Sequence, residues 1–390
     1  MLSSPAAALL LALPSVAGAM MSASAGLGGV LPLPGAPRCN GVQCSQSYLA
    51  QFPEGFDPNY FPADARTFAG AAAATAAATA TASGAEPSTL EKLLATFDFD
   101  TSSDSEVEIL EEAVFKSLRK EAGELTGSWL TAGLVRTTIL AQPSLGDSLA
   151  ALLSGKLHEQ LPGSLQYTSS GGSRADSATA EEALRDTMAR IYSTPEVRRA
   201  VVSDLCKVLV VDPAADGLLQ PFLFFKGFHA LATHRVAHSL WRDGSAASQG
   251  AALLLQSRSS ELFALDLHPG ATIGNGVMFD HATGIVVGST AIIGSDVYML
   301  HGVTLGATGK PTGGAKRHPT VGSRVVLGAG STVLGDIRVG DDCTVGAAAI
   351  VTKGVPDGNT VIGVNKIVER AALPAKEAKE ADDYTWFYGI

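Results

Sequence analysis

Two short segments in the C-terminal half of this 390-residue chain concentrate side chains that can perform chemistry. The first contains Asp280 and His281, the second contains Lys310, Lys316, Arg317 and His318, and Asp266 and His268 lie just upstream. Imidazole and carboxylate groups transfer protons in enzymes, and a guanidinium group binds anions through a planar pair of donors. These residue types make the segments candidates for a site that combines acid-base chemistry with anion binding.

The candidate segments coincide with interruptions of a six-residue repeat of apolar residues. The repeat runs through Leu267, Ile273, Phe279 and Ile285, then two residues out of frame through Val287, Ile293, Met299 and Leu305, then through Val321, Leu327, Val333, Val339, Val345 and Val351. A period of six fits neither a helix nor an ordinary strand and indicates a triangular coil of short parallel strands. A regular coil does not by itself form a functional site, so we expect the site at the positions where the repeat is interrupted. The alternative is that Asp280 and His281 form a polar corner exposed to water.

The composition argues against several classes of function. A net charge of −10 disfavours binding to nucleic acid or to an anionic membrane, because phosphate binding needs clustered Lys and Arg. The sequence has no uninterrupted apolar run of 18 residues, so we expect no membrane-spanning segment. The cysteines lack the spacing of a zinc site or a disulfide framework; they are Cys39, Cys44, Cys206 and Cys343.

Residues 1–88 are predicted to be a targeting peptide followed by a disordered Ala-rich linker. The Ala/Thr tract from Ala71 to Ala82 has too little large apolar surface to offset its ordering entropy. A secretory signal is one interpretation, because Ala6 to Leu13 is apolar and Ala17-Gly18-Ala19 resembles a cleavage site. The first residues contain no Lys or Arg, which favours organelle import instead. We expect a plastid, with the mitochondrion or cytosol as alternatives.

Residues 89–260 are predicted to form an α-helical domain. Apolar residues recur at steps of three and four from Glu106 to Phe115 and from Leu145 to Leu157, and a further helix is predicted after Pro221. The Ser/Gly-rich stretch from Gly163 to Ala178 is predicted to be a loop.

Three histidines in the helix after Pro221 permit two interpretations. His234 and His238 lie one turn apart, with His229 close by, as metal ligands on a helix do. No carboxylate accompanies them in register, so we expect histidines packed at a helix interface.

Five motifs of the chain occur together in one known enzyme family. They are Asp212-Pro-Ala-Ala-Asp216, Lys226-Gly-Phe-His-Ala-Leu231, Asp266-Leu-His268-Pro269, Asp280-His281-Ala-Thr-Gly-Ile-Val-Val-Gly288 and Val303-Thr-Leu-Gly306-Ala-Thr-Gly309-Lys310. From about residue 89 onward the chain resembles the serine O-acetyltransferases of the hexapeptide acyltransferase superfamily. The resemblance implies an α+β fold, in which the helical domain precedes a left-handed parallel β-helix over residues 261–368. The implied reaction is acetyl transfer from acetyl-CoA to the hydroxyl of L-serine, the first step of cysteine biosynthesis from serine, without a metal.

The resemblance also implies roles for individual residues. His281 matches the general base that removes the serine hydroxyl proton, and Asp266 matches the partner that orients its imidazole. The substrate positions are Asp212 and Asp280 for the ammonium group, and Arg317 and His318 for the carboxylate.

Acetyl-CoA is expected to lie along a groove between coils. Gly306, Ala329 and Ala347 are small enough there to let the pantetheine arm approach the backbone, and Lys310 and Lys353 are expected to meet the phosphates. Three departures from the family pattern concern this part of the site: Ala307 for Gly, Ser289 for an acidic residue, and Gly363-Val364-Asn365-Lys366 for Gly-Val-Pro-Ala.

The last predicted segment is a tail over residues 369–390, which reads Tyr-Thr-Trp-Phe-Tyr-Gly-Ile at its end. In the resembling family the final Ile inserts into O-acetylserine sulfhydrylase, which makes Ile390 the predicted anchor for that partner. The same resemblance implies a homotrimer or a dimer of trimers.

Two other classes of protein remain open at the level of sequence. Coils of this kind also form zinc carbonic anhydrases, for which His281, His301 and His318 are candidate ligands. The other alternative is an inactive scaffold that holds the sulfhydrylase through its tail.

Overall fold

The computed structural model describes residues 88–158, 175–212, 214–309 and 316–368. Residues 1–87 of the predicted targeting and linker segment, Lys310 and the tail with Ile390 lie outside the described residues.

The described part of the N-terminal region is helical. The α-helices are α1 (Thr89–Leu94), α2 (Asp104–Glu124), α3 (Ala132–Val135), α4 (Leu145–His158), α5 (Ala175–Tyr192), α6 (Pro195–Val211), α7 (Leu219–Phe224), α8 (Lys226–Asp243) and α9 (Ala246–Phe263). A 3-10 segment covers Leu125–Gly127, and a π-helical segment covers Arg136–Leu140. Within the described ranges, none of the helices combines the length and the apolar character that a membrane crossing needs.

Helix α2 confirms the predicted periodicity and shows how the helix begins. The Ser103 hydroxyl accepts a hydrogen bond from the Glu106 N–H (3.3 Å), and the Glu106 carboxylate accepts one from the Ser103 N–H (2.6 Å). This reciprocal pair satisfies donors that an uncapped helix leaves free. The inward side chains of α2 are all buried; they are Val107, Leu110, Val114, Leu118 and Ala122.

Two sequence predictions for the helical region need correction in detail. The loop predicted from Gly163 to Ala178 is too long, because α5 begins at Ala175, where closely spaced Ala and Glu residues favour helix. The helix predicted after Pro221 is confirmed as α8, but Pro221 itself lies in the separate short helix α7. The chain turns at Phe225, whose φ of −81° and ψ of 107° are not helical.

The C-terminal region forms a left-handed parallel β-helix with three sheets. The first sheet contains β1 (Asp266–Leu267), β4 (Val286–Val287), β7 (Thr304–Gly306), β10 (Thr332–Leu334) and β13 (Ile350–Val351). The second contains β2 (Thr272–Ile273), β5 (Ile292–Ile293), β8 (Thr320–Val321) and β11 (Arg338–Val339). The third contains β3 (Met278–Asp280), β6 (Tyr298–Leu300), β9 (Val326–Leu327), β12 (Thr344–Val345), β14 (Thr360–Ile362) and β15 (Lys366–Val368). Strand β15 runs antiparallel to β14 and ends the coil.

The core of the β-helix is the six-residue repeat. Every repeat residue named above is buried, so the prediction of one inward apolar side chain per side of the triangle is confirmed. Burial of each such side chain contributes about 1.5–3 kcal/mol relative to leaving it in water. The three sides therefore form a rigid prism on which polar side chains at the corners can be placed.

A buried ion pair joins the helical region to the β-helix. Arg235 of α8 pairs with Asp204 of α6 (3.0 Å) and also donates hydrogen bonds to the backbone carbonyls of Ile273 and Gly274. The Asp204 carboxylate accepts a hydrogen bond from the Val277 N–H (2.9 Å). Burial raises the pKa of Asp204 to about 6, although Arg235 opposes this shift. The junction holds the middle of α6 against the corner between the second and third sheets, just before β3.

Candidate active site

His281 lies on a two-residue bulge at the corner between the third and first sheets. Strand β3 pairs with β6 at a spacing of 20 residues, whereas β4 pairs with β7 at a spacing of 18. His281 and Ala282 both have left-handed backbone angles, with φ of 55° and 57°, which are uncommon for residues other than Gly, Asn and Asp. The bulge explains why the apolar repeat slips by two residues, and it leaves the His281 side chain exposed.

The Asp280 carboxylate lies beside the His281 imidazole. Asp280 is buried, and its Oδ1 lies 3.8 Å from His281 Nε2. Its Oδ2 accepts a hydrogen bond of 2.6 Å from the hydroxyl of Tyr298, on the next coil. This bond fixes the carboxylate, so that a negative charge is held next to the exposed ring.

Asp212 adds a second carboxylate to the same corner. It follows the last residue of α6, and its Oδ1 accepts a hydrogen bond from the Ala214 N–H (2.9 Å). Partial burial raises the pKa of Asp212, and the negative charge of Asp280 raises it further, while His281 opposes the shift. Two neighbouring carboxylates are suited to bind a cationic group, and the exposed imidazole beside Asp280 can accept a proton.

Arg317 and His318 lie at a different corner, between the first and second sheets. Strand β5 pairs with β8 at a spacing of 28 residues, so the loop between β7 and β8 contains ten residues more than a regular coil. The His318 ring lies directly over Gly288, where an added Cβ would approach ring atoms to 2.1 Å. Glycine at 288 is therefore needed for the ring to occupy this position.

The hydrogen bonds of His318 define its tautomer. Its Nδ1 accepts the Thr290 N–H (3.2 Å) and lies 2.8 Å from the Thr290 hydroxyl, so a neutral ring carries its proton on Nε2. Burial lowers the pKa of His318, and the positive charges of Arg317, His268 and Lys316 lower it further. The corner thus presents a guanidinium and a neutral N–H donor, which are suited to bind a carboxylate.

Asp266 and His268 lie between the two corners, on β1 and just after it. Asp266 Oδ1 accepts a hydrogen bond of 2.5 Å from the Gln256 side chain. His268 Nδ1 accepts the Gly270 N–H (3.0 Å), and burial lowers the pKa of His268 while Asp266 opposes the shift. In the described part of the chain, no hydrogen bond or ion pair joins Asp266 to His281, and the carboxylate paired with His281 is Asp280.

Two of the predicted cofactor residues follow His281 along the axis of the prism. His301 lies one coil further on, with its ring centroid 5.9 Å from that of His281. On the next coils, Gly330 N–H donates to the His301 carbonyl and Ala348 N–H donates to the Ala329 carbonyl, which stacks His301, Ala329 and Ala347 in one column. The column has small side chains beyond His301, so it forms a shallow path along this edge.

The other predicted cofactor residues lie elsewhere on the prism. Gly306 ends β7, and an added Cβ there would lie 3.0 Å from the Leu334 side chain, so packing between coils also favours a small residue. Lys353 is exposed just after β13, at the corner between the first and second sheets. At the departure from the family pattern, Asn365 has φ of 52° and hydrogen-bonds Thr352 through both side-chain atoms. Proline could not adopt this angle.

The histidines considered as metal ligands do not gather in one place, although His234 and His238 stack with their ring centroids 5.8 Å apart. His229 and His238 contact the carbonyls of Phe222 and Pro269, in agreement with packing at a helix interface. His281 and His301 share one corner, whereas His318 lies at the next corner beside Arg317, whose positive charge disfavours a bound cation. In the described ranges, no group of three or more His, Cys, Asp or Glu side chains is arranged to hold a metal ion.

Three residues of the site were not identified from the sequence: Tyr298, Thr290 and Gln256. Tyr298 directly precedes the repeat position Met299, where its side chain faces outward from the coil. Thr290 follows Gly288, which the motif already marked. For Tyr298 and Thr290, a polar side chain at an outward position of the coil was the available signal, whereas Gln256 lies in α9.

Comparisons with known proteins agree with this architecture. The family model described as "Serine acetyltransferase, N-terminal" matches residues 114–233. The rice protein "Probable serine acetyltransferase 4" (Oryza sativa subsp. japonica) is 42% identical over 250 residues, which cover 63% of this chain and 73% of that protein. The structure of soybean serine acetyltransferase complexed with serine has a TM-score of 0.57 and 38% identity, covering 66% of this chain and 98% of that one. Serine acetyltransferase from Brucella abortus in complex with coenzyme A has a TM-score of 0.58 and 37% identity, covering 66% and 95%.

The helical region, the left-handed parallel β-helix and the polar corners define a hexapeptide-repeat acyltransferase. Within that class, the chain belongs to the serine acetyltransferase family.

Proposed function

We propose that the chain transfers the acetyl group of acetyl-CoA to the hydroxyl of L-serine, giving O-acetyl-L-serine and CoA. The observation that carries this proposal is the exposed imidazole of His281, on a bulge that places it beside Asp280 and Asp212. The soybean relative bound to serine and the Brucella relative bound to coenzyme A support both substrates. The reaction is the first step of cysteine biosynthesis from serine.

His281 acts as the general base in this proposal. A serine hydroxyl does not ionise at neutral pH, so a positioned base must take its proton as the oxygen attacks the thioester carbonyl. Asp266 is proposed to orient the ring and to stabilise the imidazolium that forms. The Gln256 hydrogen bond occupies Asp266 Oδ1, so the other oxygen is available for this contact.

The two corners match the two charged groups of serine. Asp212 and Asp280 bind the ammonium group, whose positive charge opposes the burial and the repulsion from Asp280 that raise the pKa of Asp212. Arg317 binds the carboxylate through its planar donors, and the Nε2–H of His318 supplies a further donor.

A complete site requires two subunits. Four residues, from Ile285 to Gly288, cross the first sheet between the two corners, a distance of roughly 10 Å at the rise of a strand. Serine is shorter than this face, so the His281 corner of one chain pairs with the Arg317 corner of a neighbour. A closed trimer provides three such pairs, and we propose a homotrimer or a dimer of trimers.

Acetyl-CoA is proposed to lie along the column that leads away from His281. Ala329 and Ala347 keep this edge shallow, so that the pantetheine arm can approach the backbone. Gly306, Lys353 and Lys310 complete the proposed contacts; Lys353 lies at the other corner and so belongs to the neighbouring chain.

Other features remain proposals that rest on the resemblance. Residues 1–88 direct import into a plastid, residues 89–260 and 261–368 form the helical and β-helix domains, and Ile390 in the tail over 369–390 binds O-acetylserine sulfhydrylase. Helix α9 continues three residues past the proposed domain boundary.

Steady-state release of CoA thiol, measured with L-serine, L-threonine and L-homoserine, tests the proposal. We expect the highest kcat/KM with serine. No turnover with any of the three would contradict acetyl transfer. Stoichiometric zinc together with CO2 hydration would instead favour a zinc carbonic anhydrase. Binding of the sulfhydrylase without turnover would favour an inactive scaffold.

A further inference from the structure

Thr290 contacts both residues of the proposed carboxylate-binding corner. It lies in the turn between β4 and β5, two residues after Gly288. Its hydroxyl oxygen accepts hydrogen bonds from the backbone N–H groups of Arg317 (3.1 Å) and His318 (3.2 Å). The same hydroxyl lies 2.8 Å from His318 Nδ1, which also accepts the Thr290 N–H. One side chain therefore meets the loop at three points.

These contacts determine where the protons of the Thr290 hydroxyl and of the His318 ring lie. Because Nδ1 accepts the Thr290 N–H, it is unprotonated, and the Thr290 hydroxyl proton is donated to it as well. The oxygen lone pairs remain free for the two backbone N–H groups. A proton on Nδ1 would face the Thr290 N–H, donor against donor, so this arrangement holds the ring neutral with its proton on Nε2.

We propose that Thr290 is a positioning residue for serine binding, which fixes the Arg317–His318 backbone and directs the Nε2–H of His318 to the substrate carboxylate. This inference rests on the proposed function, because it assumes that the corner binds the carboxylate of serine. Thr290 itself does not touch substrate in this account.

The hydrogen bonds of Lys316 do not involve the backbone N–H groups of Arg317 and His318, which Thr290 accepts. Lys316 donates hydrogen bonds to the His318 carbonyl (2.9 Å) and to the Thr320 hydroxyl (2.6 Å), and it pairs with Asp336 (3.4 Å). These bonds hold the outer side of the loop. The backbone N–H groups of Arg317 and His318 face inward, and Thr290 supplies their acceptor.

The charges around His318 give the direction of a pH effect. Arg317 and Lys316 face the ring from its own loop, and His268 faces it from the turn after β1, with Asp266 beside His268. All three basic groups disfavour the imidazolium. The Thr290 hydroxyl donates a hydrogen bond to the unprotonated Nδ1 and so favours the neutral ring, and a variant that lacks only this hydroxyl should have a higher pKa of His318.

The test compares Thr290→Val, which keeps the shape and removes the hydroxyl, with Thr290→Ser, which keeps the hydroxyl. Thr272→Val, at an exposed strand position, is the matched control. We expect Thr290→Val to raise the KM for serine on the order of 10- to 100-fold, because misplacement by about 1 Å costs that much. The KM for acetyl-CoA should stay within about threefold. Thr290→Ser should keep both KM values close to those of the wild type, and Thr272→Val should leave them unchanged.

Hydrogen exchange of the full-length variants, followed by mass spectrometry, tests the same contacts without activity. Thr290→Val should accelerate exchange in the peptide that contains Arg317 and His318, and Thr290→Ser should not. An unchanged serine KM and unchanged exchange in Thr290→Val would overturn the inference, as would equal losses in the Val and Ser variants. If the wild-type protein does not acetylate serine, the proposed function fails, and the exchange data still decide whether Thr290 fixes the loop.

Discussion

His281 and His318 lie at neighbouring corners of one prism. One corner precedes the strands of the first sheet and the other follows them. Each stands where a coil contains extra residues: two at the His281 bulge and ten in the loop that carries His318. The regular coils keep the two corners apart within a chain. We therefore propose that chemistry that needs a base and an anion-binding group together depends on a second chain.

Replacing His281 tests the base. Asparagine is the substitution of choice, because it tolerates the left-handed backbone that this position requires. We expect His281→Asn to lower kcat about 100- to 10,000-fold, the usual contribution of a general base, with a thermal midpoint close to that of the wild type. CoA release and a melting curve measure both quantities. Retention of more than a tenth of the wild-type kcat would assign the base to another group.

Gly288 offers a test of the position of the His318 ring. A Cβ at this residue would come within 2.1 Å of the ring, so Gly288→Ala must displace the ring or the loop. We expect a higher KM for serine, by roughly 10-fold or more, and an unchanged KM for acetyl-CoA. Gly155→Ala in α4 is the control, since its nearest contact would be 3.8 Å away. Equal effects of the two substitutions would contradict the position of the His318 ring over Gly288.

Acid should destabilise the protein through its buried histidines. Burial lowers the pKa of His229 to about 4, whereas the unfolded chain titrates near 6.5. The unfolded state therefore binds more protons below pH 6.5, and stability falls as the pH falls from 6.5 toward 4. His229 alone accounts for a loss of about 2 kcal/mol between pH 8 and pH 5.

Denaturant unfolding at the two pH values measures this loss. His229→Gln keeps a donor for the Phe222 carbonyl and removes the titration. The variant should lose about 2 kcal/mol less than the wild type between pH 8 and pH 5. An identical loss in both proteins would show that His229 does not titrate in the unfolding transition.

The tail provides an independent prediction. Deletion of Ile390 should abolish binding to O-acetylserine sulfhydrylase, because the aliphatic side chain and carboxylate are the proposed anchor. Acetyl transfer should be unchanged, since the active-site corners are far from this segment in sequence. Calorimetry with the purified partner measures the binding, and persistent binding by the shortened protein would exclude this anchor.

Much of the fold could be predicted from the sequence because each apolar position of the six-residue repeat corresponds to one inward side chain of the coil. Leu267 and Val351, at its two ends, are both buried as expected. The slip of the repeat located the first polar corner within a few residues. The repeat could not show that His281 and Ala282 are the two extra residues, because backbone angles depend on the pairing of β3 and β4 with the next coil.

The pairing of functional groups was harder to predict than their identity. Asp266 was expected to contact His281, but in this structure Asp266 bonds Gln256 while Asp280 lies next to His281. The contact of Asp266 with His281 remains a prediction. Tyr298 and Thr290 were not identified, because each acts through a neighbour on another coil, which the linear sequence does not reveal.

The most direct test of the account is activity in mixed oligomers of two inactive variants. His281→Asn and Arg317→Ala subunits are co-expressed with different tags, isolated as mixed species, and assayed at serine concentrations below KM. In each mixed trimer, one of the three interfaces combines an intact His281 corner with an intact Arg317 corner, so the isolated mixed trimers should regain about a third of the wild-type activity. Mixed oligomers with no more activity than the two separate variants would contradict a site shared between subunits.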